Sequence, residues 1–178
     1  MIRIRQIGTD RKGDANIPNQ PFEIVRKMVP SLNAGKWEYR TELFPAPAEM
    51  CFPDCPYDPG EDDALFLGAY DGEECVGVAV LRKGMFRYLY LDDLKVNRDR
   101  RGIGIGGMLV EACMEKAKAE GMQGVYAIAQ DNNLSACLFY LRHDFEIGGF
   151  DNRAYRGTNQ EEKADIFFYR DCQPAREE

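Results

Sequence analysis

The fold is decided by residues 94–107, which read LKVNRDRRGIGIGG. A β-rich run ends at Val96, and apolar residues recur at helical spacing from Gly104 to Glu120. The glycines between these two elements let the backbone turn tightly and bring amide N–H groups close to a ligand. Since a helix start also carries partial positive charge, the stretch is predicted to bind a pyrophosphate, with Arg100 and Arg101 as neighbouring cations.

Two other nucleotide-binding patterns fit this stretch less well. A nucleoside triphosphate site needs a Lys-Ser/Thr pair after its glycines, and none follows here. A dinucleotide site needs Gly-x-Gly-x-x-Gly, which Gly102, Gly104 and Gly107 match literally. In that fold the strand runs straight into the first glycine, whereas Asn97 to Arg101 intervene here, and no acidic residue ends the next strand. A Rossmann-type NAD site is kept as an alternative.

On the C-terminal side, helices and strands alternate. Gly121 is predicted to end the helix that starts at Gly104. The remaining predicted elements are a short buried strand at 125–129, a helix at 134–141 capped by Asn132 or Asn133, and strands at 145–150 and 165–169.

On the N-terminal side, three antiparallel strands are predicted at 64–70, 75–82 and 86–96, because Asp71-Gly72 is a strong hairpin signal. The predicted earlier elements are a strand at 2–8, a short helix from Pro21 to Val29 that Pro30 ends, a segment at 36–44 that fits strand or helix, and an irregular Pro-rich loop at 45–63. The whole pattern indicates an α+β (mixed α/β) fold in a single domain spanning residues 1–178.

Composition narrows the classes of function. The 178 residues carry a formal net charge of −7, which argues against a nucleic-acid partner and suits a positively charged substrate. No apolar run is long enough for a membrane span and no signal peptide is seen, so a cytoplasmic location without a membrane partner is expected. With one histidine and three of the six cysteines in apolar periodic segments, neither a zinc site nor a disulfide framework is predicted.

The glycine stretch resembles the pyrophosphate-binding motif of the GNAT acetyltransferase superfamily. That motif has the form Arg-x-x-Gly-x-Gly, which Arg101, Gly104 and Gly106 match. The resemblance implies a GNAT-like fold, with a central, mostly antiparallel twisted sheet of six to seven strands flanked by helices. It also implies acetyl-CoA as co-substrate and no metal. The implied cofactor-binding residues in this part of the chain are Leu94, Lys95, Val96, Arg100, Arg101, Gly102, Ile103, Gly104, Ile105, Gly106 and Gly107.

A second motif supports the resemblance. The family's next helix carries Asn-x-x-Ala-x-x-x-Tyr and then Gly-Phe, and here stand Asn133, Ala136, Tyr140 and Phe145. Asn133, Ala136 and Tyr140 are expected to contact the cofactor, and Asn133 is expected to form hydrogen bonds to the pantetheine arm. Asp144 takes the place of the glycine, a departure expected to affect a turn more than the chemistry.

A narrower resemblance, over residues 61–172, is to streptothricin acetyltransferases. It is carried by residues 130–133, 136–140, 147–151 and 164–169, which read QDNN, ACLFY, IGGFD and ADIFFY. The resemblance implies an N-acetyltransferase that acts on a primary amine of a small cationic acceptor, such as the β-lysine amine of streptothricin. Two acidic regions, the loop at 45–63 and the segment with Asp151 and Tyr155, are candidates for the border of the acceptor cleft.

Two carboxylates are candidates for the catalytic base. An alkylamine with a pKa of about 10.4 must lose a proton before it attacks a thioester. Asp92 and Asp93 lie on the strand before the glycine turn, where the family places the acetyl group and often its base. Alternation sends them to opposite faces unless a β-bulge, which the resemblance implies, intervenes. Asp92 is favoured because it shares a predicted face with Phe86, Tyr88 and Tyr90.

The remaining roles complete a direct transfer in a ternary complex. Backbone N–H groups of residues 94–96 are expected to stabilise the thioester oxygen, and Tyr140 to protonate the leaving thiolate. The competing hypotheses are a protein or peptide N-acetyltransferase, and a non-catalytic CoA-binding module. A homodimer is considered possible.

Overall fold

The computed structural model describes residues 1–172, which form nine β-strands and two α-helices. Neither helix is long and apolar enough to cross a lipid bilayer. Short 3₁₀ turns lie at Thr9–Ala15 and Arg98–Arg100. The elements in chain order are β1 (Ile2–Gln6), β2 (Phe22–Asn33), β3 (Lys36–Met50), β4 (Leu65–Asp71), β5 (Glu74–Lys83), β6 (Tyr88–Val96), α1 (Ile105–Ala119), β7 (Gly124–Gln130), α2 (Leu134–Arg142), β8 (Glu146–Asp151) and β9 (Asp165–Asp171).

Seven of the strands form one sheet in the order β1-β4-β5-β6-β7-β9-β8, and β2 and β3 form a separate two-stranded ribbon. The pairs β1/β4, β4/β5, β5/β6 and β8/β9 are antiparallel. This arrangement confirms the predicted mixed α/β class with a mostly antiparallel sheet. The hairpin predicted at Asp71-Gly72 joins β4 to β5, with Asp71 paired to Glu74.

The described chain divides into two compact units. The first contains residues 1–20, 52–126 and the described residues from 171, and the second contains residues 21–51 and 127–170. The single domain predicted for residues 1–178 is not tested by this division and stays a prediction.

The first unit is built on β4, β5 and β6, with α1 against them. The inward side chains of β5 are fully buried because this central strand has neighbours on both sides. Gly77 lets α1 approach closely, since a Cβ at Gly77 would lie 3.2 Å from both Ile105 Cγ2 and Leu109 Cδ1. The helix ends where Gly121 adopts a φ of +66°, as predicted, and Met122 N–H donates back to the Ala117 carbonyl. The contacts of Ile105 and Leu109 with Gly77 fix the start of α1 relative to β5.

The second unit corrects the prediction of a helix from Pro21 to Val29. That segment belongs to β2, which pairs with β3 along an antiparallel register from Phe22↔Met50 to Asn33↔Lys36. Ala34 and Gly35 between the strands both have positive φ, as a two-residue type I′ hairpin turn requires. The same register shows that the undecided segment 36–44 is a strand. The helix-like spacing of apolar residues was therefore misleading, because long-range pairing decided the conformation.

Prolines do not end the ribbon strands as predicted. Pro30 lies inside β2, opposite Tyr39, which an edge position permits because a two-stranded ribbon leaves alternate N–H groups without a ladder partner. Pro45 and Pro47 lie inside β3 at a break in the register, where the pairing jumps from Ala48↔Ile24 to Leu43↔Arg26. The irregular segment predicted at 45–63 is consequently shorter, since β3 continues to Met50.

Candidate active site

The glycine turn has the backbone geometry of an anion cradle. Gly102 and Gly104 have φ values of +78° and +90°, which glycine adopts without strain. A Cβ at either position would meet no atom of the described residues within 4 Å, so these residues leave open space beside the backbone. Gly104 is the N-cap of α1, no side chain among residues 1–172 caps the helix, and no acidic residue occupies its first turn.

These features fit the pyrophosphate of acetyl-CoA. The first N–H groups of a helix lack partners within the helix and carry its partial positive charge, so they favour phosphate oxygens. Gly106 and Gly107 stand in this first turn, where they keep the approach free of side chains. Ile103 is 65% exposed beside them. Residues 102–107 would hold the pyrophosphate through backbone amides.

The two arginines before the turn have different partners. Arg100 pairs with Asp71 at 3.0 Å, and its guanidinium also lies 3.6 Å from Glu74. Arg101 is exposed, and its Nε donates to the Val96 carbonyl at 3.0 Å. Arg101 is therefore the arginine with guanidinium capacity left for a phosphate.

A β-bulge in β6 sets the position of the candidate bases. The register runs from Leu91↔Leu81 to Asp93↔Val80, so Asp92 is the extra residue. This is the bulge that the family resemblance implied. Asp92 Oδ2 accepts a hydrogen bond from Arg82 Nε at 2.7 Å, and Arg82 also lies 4.0 Å from Asp62. Strict alternation therefore does not hold for the two neighbouring carboxylates.

Asp93 joins the same group of side chains through Tyr57. Asp93 Oδ2 accepts from the Tyr57 hydroxyl at 3.2 Å and lies 2.9 Å from Lys95 Nζ, whose side chain is only 11% exposed. The Lys95 and Arg82 cations both lie over the Tyr57 ring. Burial, helped by the charges of Asp93 and Asp92, raises the pKa of Tyr57, so its hydroxyl stays protonated and donates.

The aromatic face predicted for β6 is not formed as a unit. Phe86 precedes the strand, has a φ of +56° and is 97% exposed, because the chain turns there before β6 begins at Tyr88. The Tyr88 hydroxyl donates to Asp171, and Tyr90 stacks on Tyr126 with ring centroids 4.9 Å apart. The argument that Asp92 shares an aromatic face is therefore wrong at Phe86.

Several carboxylates of the acidic loop form hydrogen bonds or ion pairs with other residues of the protein. Asp58 lies 2.7 Å from Lys12 Nζ, and Asp54 accepts from the Asn19 amide at 2.6 Å. Asp62 accepts from the Asp58 amide at 2.6 Å. These contacts tie the loop to other residues of the first unit. Its Tyr57 donates to the candidate base Asp93, and its Asp62 lies near Arg82, the partner of Asp92.

In the second unit, α2 carries the second predicted motif. The structure selects Asn133 over Asn132 as the cap, since Asn133 Oδ1 accepts from the Ala136 amide at 3.2 Å and from Ser135 Oγ at 2.9 Å. Its Oδ1 is thus used within the helix, which leaves its Nδ2 for the pantetheine arm. Ala136 is half-buried in the first turn.

Tyr140 lies in an aromatic cluster and is 8% exposed. Its ring makes edge contacts with Phe139 and Phe145 and a tilted contact with Phe168, at centroid distances of 5.5, 5.3 and 5.4 Å. The ring is therefore held rigidly, which suits a proton donor that must point at one atom.

Asp144 occupies the glycine position of the motif with a φ of +61°. It follows α2, whose carbonyl at Tyr140 accepts from both His143 N–H and Phe145 N–H. A left-handed residue after a helix is normally glycine, although aspartate tolerates it better than most residues. A negative charge near the carboxyl end of a helix is also unfavourable, and the exposed Asp144 carboxylate gains little from Arg170, whose guanidinium lies 3.9 Å away.

We expect Asp144→Gly to raise the free energy of unfolding by about 0.5–1 kcal/mol, because it relieves the left-handed backbone and removes the charge. Urea unfolding of the purified variant measures this. The matched control is Asp144→Ala, which removes the charge but keeps the Cβ and is expected to be less stable than Asp144→Gly. Equal stability of the two variants would contradict the backbone explanation.

The predicted residues thus occupy two groups. The first unit holds Asp92, Asp93 and the glycine turn, and the second holds Asn133, Ala136 and Tyr140. Sequence reasoning assigned no role to Tyr57 or Arg82, and it predicted Lys95 as a cofactor-binding residue without a role for its side chain. No motif marks Tyr57 or Arg82, because their partners come from different elements of the fold.

Comparisons with known proteins show the family of this chain. The model of the acetyltransferase (GNAT) family matches residues 33–145. Streptothricin acetyltransferase A of Bacillus subtilis (strain 168) is 33% identical over 160 residues, which cover 88% of this chain and 92% of the relative.

Solved structures give the same family. A candidate streptothricin acetyltransferase from Bacillus anthracis str. Ames, solved in complex with acetyl coenzyme A, matches with a TM-score of 0.87 at 27% identity, covering 96% of this chain and 99% of that one. Nourseothricin acetyltransferase matches in fold with a TM-score of 0.78 at 22% identity, covering 97% and 99%. The chain therefore belongs to the acetyltransferase (GNAT) family and is an N-acetyltransferase that uses acetyl-CoA as its acetyl donor.

Proposed function

We propose that this enzyme acetylates a primary amine of a small cationic acceptor of the streptothricin type, at its β-lysine amine, by direct transfer in a ternary complex. The observation that carries the proposal is the bulge in β6, which sets two neighbouring carboxylates, Asp92 and Asp93, directly before the amide-rich turn. Relatives named streptothricin acetyltransferases support the choice of acceptor.

Asp92 is the favoured base. Its Oδ2 is held by Arg82, and no hydrogen bond within residues 1–172 uses its Oδ1. Asp92 Oδ1 would take one proton from the acceptor ammonium, so that the nitrogen lone pair can attack the thioester carbonyl carbon. Asp93, held by Tyr57 and Lys95, would favour a cation at this place.

Tyr140 is the proposed acid. As the carbon–sulfur bond breaks, its hydroxyl would give a proton to the thiolate sulfur, and the nitrogen would lose its second proton to solvent. Residues 94–96 pair with β5 through Ala79, Val78 and Gly77. Because β6 lies between β5 and β7, only those N–H groups of residues 94–96 that neither neighbour uses would be available to the thioester oxygen.

The proposal is tested by release of free CoA thiol from acetyl-CoA, with streptothricin, a polyamine, an aminoglycoside and a peptide panel as acceptors. We expect streptothricin to give the highest kcat/KM. Varying both substrates should give intersecting double-reciprocal lines, as a ternary complex requires, whereas parallel lines would indicate a covalent acetyl-enzyme.

Other outcomes select the competing hypotheses. Turnover confined to peptides would make the protein a peptide N-acetyltransferase. Binding of acetyl-CoA without thiol release for any amine would make it a non-catalytic CoA-binding module.

A further inference from the structure

A polar cluster in the second unit has no part in the mechanism above. It consists of Gln130 at the end of β7, Tyr155 in the segment between β8 and β9, and Asp165 at the start of β9. Gln130 Nε2 donates to the Tyr155 hydroxyl oxygen at 2.8 Å, and the Tyr155 hydroxyl donates to Asp165 Oδ1 at 2.7 Å. The hydrogen bonds thus run in one direction and end on a carboxylate.

The cluster lacks a cation. Within residues 1–172, no lysine or arginine forms an ion pair with Asp165, and no hydrogen bond reaches its Oδ2. The neighbouring acidic residues add negative potential, since Asp151 and Asp131 act on the same group through their charges. Lys27 offsets only part of this through its interaction with Asp131.

The unsatisfied atoms nearby are also acceptors. Gln130 Oε1 and Asn132 Oδ1 are buried and lack a hydrogen-bond donor among the described residues. Asn132 itself is 4% exposed. Buried acceptors without a donor are costly and rare. Of these two residues, Gln130 belongs to the cluster itself. A group with N–H donors and a positive charge would give Gln130 Oε1 a donor and Asp165 a counter-ion, and an alkylammonium has three such donors.

We propose that the Gln130–Tyr155–Asp165 cluster is a binding site for a cationic ammonium group of the acceptor, with Asp165 as its counter-ion. Asp165 and Tyr155 are half-buried, so an ammonium can reach them from solvent. This inference rests on the proposed function for the identity of the acceptor. It adds that affinity for cationic amines depends on Asp165 of the second unit.

The pKa values agree with a carboxylate that lacks its partner. Burial raises the pKa of Asp165, and the charge of Asp151 adds to this. Burial likewise raises the pKa of Tyr155 to about 12, so its hydroxyl remains a donor. Asp165 holds its proton more tightly in the folded protein than in the unfolded chain. Its ionisation therefore lowers the free energy of unfolding, a cost that begins as the pH rises through the pKa of the unfolded chain and is complete above the raised pKa.

The test is Asp165→Asn, measured by calorimetric titration with streptothricin and with spermidine in the absence of acetyl-CoA. The amide keeps an oxygen that accepts from Tyr155 but removes the charge. We expect the dissociation constant for both amines to rise about tenfold or more, as loss of a charge-assisted hydrogen bond does. The melting temperature should stay equal or rise, because the uncompensated charge is gone; a structural role would lower it.

A matched control is Glu146→Gln, which makes the same charge change at an exposed position of the same unit. It should leave amine affinity unchanged. Tyr155→Phe is a second variant that removes the hydroxyl between Gln130 and Asp165, and we expect a smaller loss of affinity.

Each outcome decides the inference. Equal amine affinity in Asp165→Asn and wild type, equal loss in Glu146→Gln, or no binding of either amine to wild type would overturn it. Amine binding that depends on Asp165 without any acetyl transfer would remove the proposed function but keep the site. Fast transfer to streptothricin with an unchanged KM in Asp165→Asn would keep the proposed function and remove the site.

Discussion

Replacing Tyr140 by phenylalanine is expected to lower kcat about 100-fold or more, while the affinity for acetyl-CoA stays within a few-fold of wild type. A positioned general acid contributes about 10²–10⁴ in rate, and the variant loses this proton donor for the thiolate. The substitution keeps the aromatic ring, so the ring contacts with Phe145 and Phe168 remain. The measurement is thiol release at saturating acetyl-CoA together with calorimetric binding of acetyl-CoA.

The outcome separates catalysis from packing. Tyr39→Phe is the matched control, since Tyr39 is 45% exposed on the β2–β3 ribbon and should keep full activity. A stability loss in Tyr140→Phe without a rate loss would make Tyr140 a core residue and leave protonation of the thiolate to water. A rise in the dissociation constant of acetyl-CoA with an unchanged kcat would give the Tyr140 hydroxyl a role in binding instead.

Local patterns predicted the elements whose signals are also local. The glycine turn, the helix it starts and the hairpin at Asp71-Gly72 appear where the sequence predicts them, and the cap is Asn133, one of the two predicted candidates. Each depends on residues within one turn or one hairpin, so propensity and spacing are enough.

The ribbon and the network around β6 could not be predicted in this way. Apolar residues of β2 also satisfy helical spacing, and only pairing with β3 distinguishes the two conformations. The Asn33-Ala34-Gly35 turn was the one overlooked local signal for that hairpin. Tyr57 reaches Asp93 across 36 positions of sequence, a contact that no local pattern encodes.

Gly104→Ala is expected to raise the dissociation constant of acetyl-CoA about tenfold or more. Alanine at a φ of +90° strains the N-cap of α1, and its methyl group enters the open space beside the backbone amides. Loss of one charge-assisted hydrogen bond from these amides to a phosphate oxygen already accounts for a tenfold effect. Calorimetric titration with acetyl-CoA measures the change.

The chain offers a matched control at the other end of the same helix. Gly121 also has a positive φ, +66°, and a Cβ there would also meet nothing within 4 Å. Gly121→Ala should therefore lose a similar amount of stability, about 1 kcal/mol by urea unfolding, yet bind acetyl-CoA as wild type does. If both variants lose stability but neither loses affinity, the glycines at 102–107 serve only the turn, and the pyrophosphate must be held by other groups such as Arg101. If Gly104→Ala alone loses affinity, the amide groups at the start of α1 are the binding element, because backbone strain is common to both variants.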